Sequence, residues 1–163
     1  MKLIDLSVTI AVVSAGMLSC GGSGPANNFS TQLNGANETP AVSTTASGAA
    51  TISLNGTTVN YTASGTGLSG NATGAHIHIG AVGVAGPVIV DFAAITPLPA
   101  GTTTSIAGSF TAANIKNPTN PPLNPPVVTL DDLMAQIRAG NAYVNIHTAA
   151  HPGGEIRGQL TPQ

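Results

Sequence analysis

The sequence is poor in charged and aromatic side chains. Only 6% of its 163 residues are charged and 3% are aromatic, whereas charged residues make up about 25% of a typical soluble domain. Four cationic side chains cannot supply the basic stripe of a nucleic-acid-binding protein, which argues against that class. A net charge of −2 with 42% hydrophobic residues also argues against a chain kept disordered by its charge.

The sequence also contains a single cysteine and no tryptophan. One cysteine excludes a disulfide scaffold within the chain. Glycine and proline are frequent, with 20 and 12 residues, and Ala, Thr, Ser and Asn make up much of the remainder. This composition predicts one β-rich domain of small residues, kept soluble by hydroxyl and amide groups rather than by charges.

The first twenty residues predict an export signal. Lys2 precedes an uncharged run over residues 6–18, which is shorter than the about 20 residues needed to cross a bilayer. Cys20 follows this run and resembles the lipidated cysteine of a bacterial lipoprotein. An ordinary cleaved signal with an incidental cysteine is the alternative, and both place the mature domain outside the cytoplasm. Residues 21–28 are predicted to form a flexible tether.

Beyond the tether, short runs of alternating apolar and polar residues are separated by turn residues. This pattern predicts seven or eight short strands, and Asn55-Gly56 predicts a hairpin turn with positive φ at both positions. So many short strands predict an all-β domain, an antiparallel Greek-key β-sandwich with one short helix. The candidate strands cover residues 29–34, 50–54, 59–63, 75–79, 88–92, 104–110, 142–147 and 155–160.

The short helix is predicted between Thr129 and Gly140. Thr129 can cap its start, and acidic residues follow in the first turn, where the helix dipole favours them. Leu133, Met134 and Ile137 recur at helical spacing and predict a buried stripe.

Histidine is the most concentrated functional residue type in the mature chain. His76 and His78 are two residues apart on a strand, so their side chains leave the same face. The same alternation places Tyr143, Asn145 and His147 on one face of a later strand. If these strands are close in one sheet, three imidazoles converge. Neutral imidazoles suit copper and zinc, so we predict a metal site, with copper preferred.

His151, in the turn that follows, is a further candidate, either as a fourth ligand or as a lid. A structural role is the alternative for His76 and His78. On a polar strand face, both rings can hydrogen-bond to loop carbonyls and hydroxyls without any metal.

Four stretches go beyond composition: LNGANETPAV (33–42), AHIHIG (75–80), RAGNAYVNIHT (138–148) and PGGEIRGQL (152–160). Together they resemble the CHRD domain. This module is repeated in the animal protein chordin and occurs singly in bacterial secreted proteins and lipoproteins. The resemblance covers residues 29–160, and the domain is predicted over 29–163. It implies an immunoglobulin-like or related β-sandwich outside the cytoplasm.

The H-x-H pair with a later strand histidine is also similar to the copper site of copper/zinc superoxide dismutases, which share the sandwich architecture. The sequence departs from that family, since it has no evident bridging-histidine and aspartate set for zinc. It also has no intrachain disulfide and no recognisable charged loop over the metal. A dismutase-type oxidoreductase therefore stays open only as an alternative.

No other pattern in the sequence indicates catalysis. Its acidic residues, including Asp91, are scattered and form no evident pair, and no G-x-S-x-G motif occurs. Glu155 and Arg157 alternate with apolar residues on the last strand. We predict that they lie on a solvated strand face, and the alternative is that they support the histidines from behind.

The function predicted from the sequence is an exported, membrane-anchored binding module without catalytic residues. His76, His78 and His147, with His151 as an additional candidate, would bind copper, or less favourably zinc, and Cys20 would carry the lipid. The expected partner is an extracytoplasmic protein or polysaccharide, not a nucleic acid, and membrane contact would come only through the lipid anchor. A structural or adhesive surface module without metal is the alternative.

Overall fold

Alternating apolar and polar residues give antiparallel strands throughout the computed structural model, which describes residues 25–119 and 122–163. The predicted export signal and Cys20 lie outside the described residues. The helix is α1 (Leu130–Arg138), and two 3-10 turns cover Gly35–Asn37 and Ala112–Asn114. The strands are β1 (Asn28–Asn34), β2 (Ser47–Asn55), β3 (Thr58–Thr66), β4 (Ala72–Ile79), β5 (Val88–Asp91), β6 (Thr104–Phe110), β7 (Ala142–Thr148), β8 (Ile156–Gln159) and β9 (Thr161–Pro162).

The strands form one continuous hydrogen-bonded path in the order β5-β4-β7-β8-β1-β2-β3-β6, with β9 beside β1. The sheet curls into a half-barrel around one core. Tyr61 of β3 stacks on Phe92, next to β5, with ring centroids 4.1 Å apart. The predicted antiparallel β class with one short helix is confirmed. The Greek-key sandwich stays a prediction, because the described strands do not separate into two sheets.

The hairpin between β2 and β3 lies one residue later than the sequence predicted. Asn55 pairs with Thr58, so the two-residue loop is Gly56-Thr57. Gly56 has a φ of 59°, and no residue other than glycine has a positive φ in the described part of the chain. Glycine at the first loop position is the pattern of a type II′ turn. The full-length pairing of β2 with β3 keeps Asn55 in the ladder and sets this register.

Helix α1 begins and ends where the sequence predicted. The Thr129 hydroxyl accepts a hydrogen bond from the Asp132 amide at 3.1 Å, and the Asp132 carboxylate accepts one from the Thr129 amide at 2.9 Å. Leu133, Met134 and Ile137 are fully buried. This reciprocal capping box fixes the start of the helix. No helix in the described ranges is long and apolar enough to cross a membrane.

The segment just before β1 is fixed to the domain. The Arg138 guanidinium donates to the Ala26 carbonyl and to the Asn27 side chain, each at 2.8 Å. The Leu54 amide donates to the Asn27 carbonyl at 2.8 Å. The C-terminal end of the predicted tether 21–28 therefore belongs to the folded domain, since β1 already begins at Asn28.

The inner face of β4 and β7 forms the core, as the alternation predicted. Ala75, Ile77, Val144 and Ile146 are completely buried there. The opposite face is also covered, because Asn145 is only 2% exposed. Loop residues 80–87, which connect β4 to β5, fold back over this second face.

Candidate metal centre

The pairing of β4 with β7 brings the three strand histidines together. His76 lies opposite Asn145 in the antiparallel register, and Gly74 lies opposite His147. Because side chains alternate between faces, His76, His78 and His147 all project from the face away from the core.

These three histidines form a compact group. One potential ligand atom from each lies within 4.8 Å of the other two. The closest approach is between Nδ1 of His76 and Nε2 of His147, at 3.0 Å. His78 is buried, whereas His76 and His147 are partly accessible. The group therefore has one enclosed side and one side towards solvent.

The second ring nitrogen of each histidine faces a hydrogen-bond acceptor. Nδ1 of His78 lies 2.8 Å from the Gly86 carbonyl, and Nδ1 of His147 lies 3.0 Å from the Pro152 carbonyl. Carbonyl oxygens only accept, so both rings donate from Nδ1 and, when neutral, keep a lone pair on Nε2. Nε2 of His78 is buried and has no hydrogen-bond partner. Such a buried, unpartnered acceptor can bind a cation.

Asp91 is the acceptor that faces the second ring nitrogen of His76. Its carboxylate oxygen Oδ1 lies 3.6 Å from Nε2 of His76, and Oδ2 accepts a hydrogen bond from Lys116 at 3.1 Å. The negative charge favours a proton on Nε2, which leaves the Nδ1 lone pair free towards His147. A carboxylate behind a metal-binding histidine is a common way of orienting the ring.

The group is electrostatically arranged to stay uncharged at neutral pH. Burial, with smaller contributions from the neighbouring His147 and His78, lowers the pKa of His76 to about 4. Burial also lowers the pKa of His78 to about 4 and shifts that of His147 downwards. Neutral imidazole is the form that coordinates metals, so the lone pairs are available without displacing protons.

Two further residues fix His78 in place. Its imidazole stacks on the Tyr143 ring with centroids 4.8 Å apart and planes within 7°. The Arg157 guanidinium carbon lies 3.4 Å from the centroid of the same Tyr143 ring. The two groups cannot occupy one face of the ring, so Tyr143 is held between them. This stack restricts rotation of His78.

A glycine provides the space for the histidine pair. A Cβ atom at Gly74 would lie 2.8 Å from Cε1 of His76, 3.2 Å from its Nε2 and 3.5 Å from Cδ2 of His147. Any side chain at this position would displace the His76 imidazole.

The predicted solvated face for Glu155 and Arg157 is wrong. Glu155 is completely buried and Arg157 is 2% exposed. The Arg157 guanidinium donates to the Ala81 carbonyl at 3.0 Å, under the loop that covers this face. Through Tyr143 it supports His78 from behind, which matches the alternative role that the sequence left open.

Glu155 serves a different purpose. Its carboxylate accepts hydrogen bonds from the hydroxyls of Thr44, Ser69 and Thr148 at 2.9, 2.7 and 2.7 Å, and from the Ser69 amide at 3.0 Å. These donors come from three separate parts of the chain. Glu155 therefore ties loops to β7 instead of facing solvent.

His151 is not brought into the histidine group. It lies in the turn after β7, where its backbone N–H donates to the Thr148 carbonyl at 3.1 Å. Its side chain is half-buried beside a cavity of about 220 Å³ that Glu38 and Pro152 also line.

Several residues around the centre were not assigned a role from the sequence. Gly74 had a local signal, because it lies two residues before His76 and on the same strand face. The local sequence gave no indication for Asp91, since its position beside His76 depends on the β4–β5 register. Glu38, which is 8% exposed, approaches Asn145 only through the three-dimensional fold.

The comparisons with known proteins agree with the motifs of the sequence. The family model described as the CHRD domain matches residues 29–160. No curated protein matches the chain, and no solved structure matches it. The match begins within β1 and continues past the end of β8. The chain therefore belongs to the CHRD domain family.

Proposed function

We propose that the protein is an exported, membrane-anchored, non-enzymatic binding module that holds one copper ion at His76, His78 and His147. The observation that carries this proposal is the buried Nε2 of His78, which has no hydrogen-bond partner. Lone pairs of His76 and His147 lie close by, and each ring is oriented from its other nitrogen.

The distances suit a metal ion. Two bonds of about 2.0 Å separate their donor atoms by about 2.8 Å at a right angle and about 3.3 Å at the tetrahedral angle. The 3.0 Å between His76 and His147 lies between these values. The ligand atoms of all three histidines lie within 4.8 Å of one another, so the group would have to draw closer for one ion to reach all three at bond lengths of about 2.0 Å.

Copper is the preferred ion for two reasons. Cu(II) binds nitrogen ligands more tightly than other divalent first-row metals, including zinc. The close His76–His147 spacing also favours angles below tetrahedral, as in the tetragonal geometry of Cu(II).

Export and anchoring are supported by the sequence before the domain. Lys2, the apolar run 6–18 and Cys20 form a lipoprotein-type signal. We also propose that the curled sheet is a distorted Greek-key sandwich. The stacking of Tyr61 on Phe92 across the core supports two facing layers.

The metal site is tested by titrating the purified protein with Cu(II) and following binding by calorimetry and electron paramagnetic resonance. We expect about one Cu(II) per chain and loss of binding in His78→Ala. His151→Ala is the matched control, because His151 lies outside the group. Absence of Cu(II) binding to the wild type would overturn the proposal. A superoxide assay on the loaded protein is expected to stay at background, and clear turnover would reassign it as an oxidoreductase.

An adhesive surface module is a second candidate, favoured by one observation. The loop that covers Tyr143 carries Val82 and Val84, which are 78% and 52% exposed. Two exposed valines on one loop suit contact with a partner. Under this alternative, replacing both with serine abolishes attachment to the cell surface partner, and the histidine variants leave it intact.

A further inference from the structure

Asn145 lies at the centre of the histidine group. It is 2% exposed, and it shares the strand face of His147 and lies opposite His76 in the register of β4 and β7. Its side-chain oxygen Oδ1 lies 2.9 Å from Nε2 of His147. Burial lowers the pKa of His78, and the Asn145 amide partly opposes this shift, so it also lies within reach of His78.

The contact between Asn145 and His147 places two acceptors together. Nδ1 of His147 donates to the Pro152 carbonyl, so Nε2 of the neutral ring carries a lone pair. That lone pair faces Oδ1 of Asn145 at 2.9 Å and Nδ1 of His76 at 3.0 Å. The His147 lone pair and the Asn145 oxygen are both acceptors and repel one another at this spacing, and a cation between them turns the repulsion into coordination.

Glu38 and Gly154 lie beside the Asn145 amide. A Cβ at Gly154 would collide with Oε1 of Glu38 and lie 2.7 Å from Nδ2 of Asn145, so these two atoms border the same space. Burial raises the pKa of Glu38 to about 7, while Arg157 and a hydrogen bond from Asn145 oppose the rise. The amide nitrogen of Asn145 therefore lies on the side of Glu38, and the amide oxygen lies on the side of His147.

From this arrangement we infer that Oδ1 of Asn145 is a fourth ligand, which completes a site of three nitrogens and one oxygen. The inference rests on the copper site proposed above. Its donor separations of 2.9 and 3.0 Å suit neighbouring ligands on one ion at bond lengths of about 2.0 Å.

The donor atoms of such a site favour one oxidation state of copper. An amide oxygen is a harder donor than a thiolate or thioether, so a three-nitrogen, one-oxygen set suits a divalent ion such as Cu(II) rather than Cu(I). Within the part of the chain that the structure describes, no Cys belongs to the group. The partly accessible side between His76 and His147 leaves room for a further ligand from solvent.

The test uses Cu(II) alone, with the full chain and two variants at one position. Asn145→Leu keeps the branched shape and removes the oxygen, and Asn145→Asp replaces the amide with a carboxylate. Affinity is measured by competition with a chelator, and the ligand set by electron paramagnetic resonance. Asn60→Leu is the control, because Asn60 is an exposed strand asparagine on β3.

We expect Asn145→Leu to retain one Cu(II) with about ten-fold or greater loss of affinity and a shifted spectrum. Asn145→Asp should bind at least as tightly as the wild type, with a different spectrum. If both variants keep the affinity and spectrum of the wild type, Asn145 is not a ligand, although the histidine site stands. If the wild type binds no Cu(II), the histidine site and the fourth ligand are both wrong.

Discussion

The backbone of Gly74 lies directly against the imidazole of His76. A Cβ at Gly74 would lie 2.8 Å from Cε1 of that ring, and such a distance forces the ring to move. We therefore expect Gly74→Ala to weaken Cu(II) binding by about ten-fold or more, because His76 is pushed out of line with His147.

Calorimetric titration of the variant with Cu(II) checks this prediction. Gly70→Ala is the matched control, since a Cβ at Gly70 meets nothing within 4 Å. Equal affinities of both variants and the wild type would show that the space beside His76 does not matter for the site.

Glu155 is predicted to contribute strongly to stability. Burial raises its pKa, but hydrogen bonds from Thr148, Ser69 and Thr44 outweigh that effect and hold the pKa below its usual range. Glu155→Gln places amide hydrogens against these donors, so we expect a loss of about 2–3 kcal/mol in the free energy of unfolding. Urea denaturation measures the change.

The exposed Asp131 provides the comparison for this variant. Asp131→Asn at the start of α1 should cost less than about 1 kcal/mol, through the helix dipole alone. A Glu155→Gln loss as small as that of Asp131→Asn would contradict the prediction.

Glu38 gives the domain a distinctive pH dependence. Its pKa is raised from 4.5 to about 7 by burial, so between these values the folded state binds more protons than the unfolded chain. The stabilisation that Glu38 gives the folded state is fully present below pH 4.5 and is lost as the pH rises through 7. The His76 and His78 shifts act oppositely, and cost stability as the pH falls from 6.5 towards 4.

Glu38→Gln separates the two effects, because it removes only the ionisation of Glu38. We expect the variant to gain stability relative to the wild type as the pH rises from 4.5 to 8, by roughly 1–3 kcal/mol over that range. Thermal or urea unfolding at several pH values measures this difference. A difference that does not change with pH would refute the raised pKa.

Cys20→Ser tests the proposed anchor. A lipid attached to Cys20 would hold the chain at a membrane, and serine cannot carry it through a thioether. We expect the wild type in the membrane fraction and the variant in the soluble extracytoplasmic fraction. If both variant and wild type are soluble, the signal is of the ordinary cleaved kind.

Local chemistry made much of the fold predictable. The capping pair Thr129 and Asp132 and the buried stripe of α1 are properties of neighbouring residues, and β6 occupies the predicted range 104–110. The hairpin shifted by one residue because the pairing of Asn55 with Thr58 depends on the whole length of β2 and β3.

The covered face around the centre could not be predicted in the same way. Alternation shows that Arg157 lies on the same strand face as Glu155, but it does not show that a distant loop covers that face. The Ala81 carbonyl that accepts from Arg157 is 76 residues away in the sequence. Asn145 was placed on the correct strand face, yet its contact with His147 and Glu38 depends on how three separate segments pack.

The separation of His76 and His147 by 71 residues has a consequence for folding. Before β4 and β7 pair, the chain offers a metal local histidine pairs such as His76–His78, which are weak chelates. Copper would therefore bind almost exclusively to the completed sheet and raise its stability in proportion to the logarithm of free copper. Pairings between strands that are far apart in the sequence form slowly. The metal would therefore bind after the sheet has formed and stabilise the folded domain, and it would not direct folding.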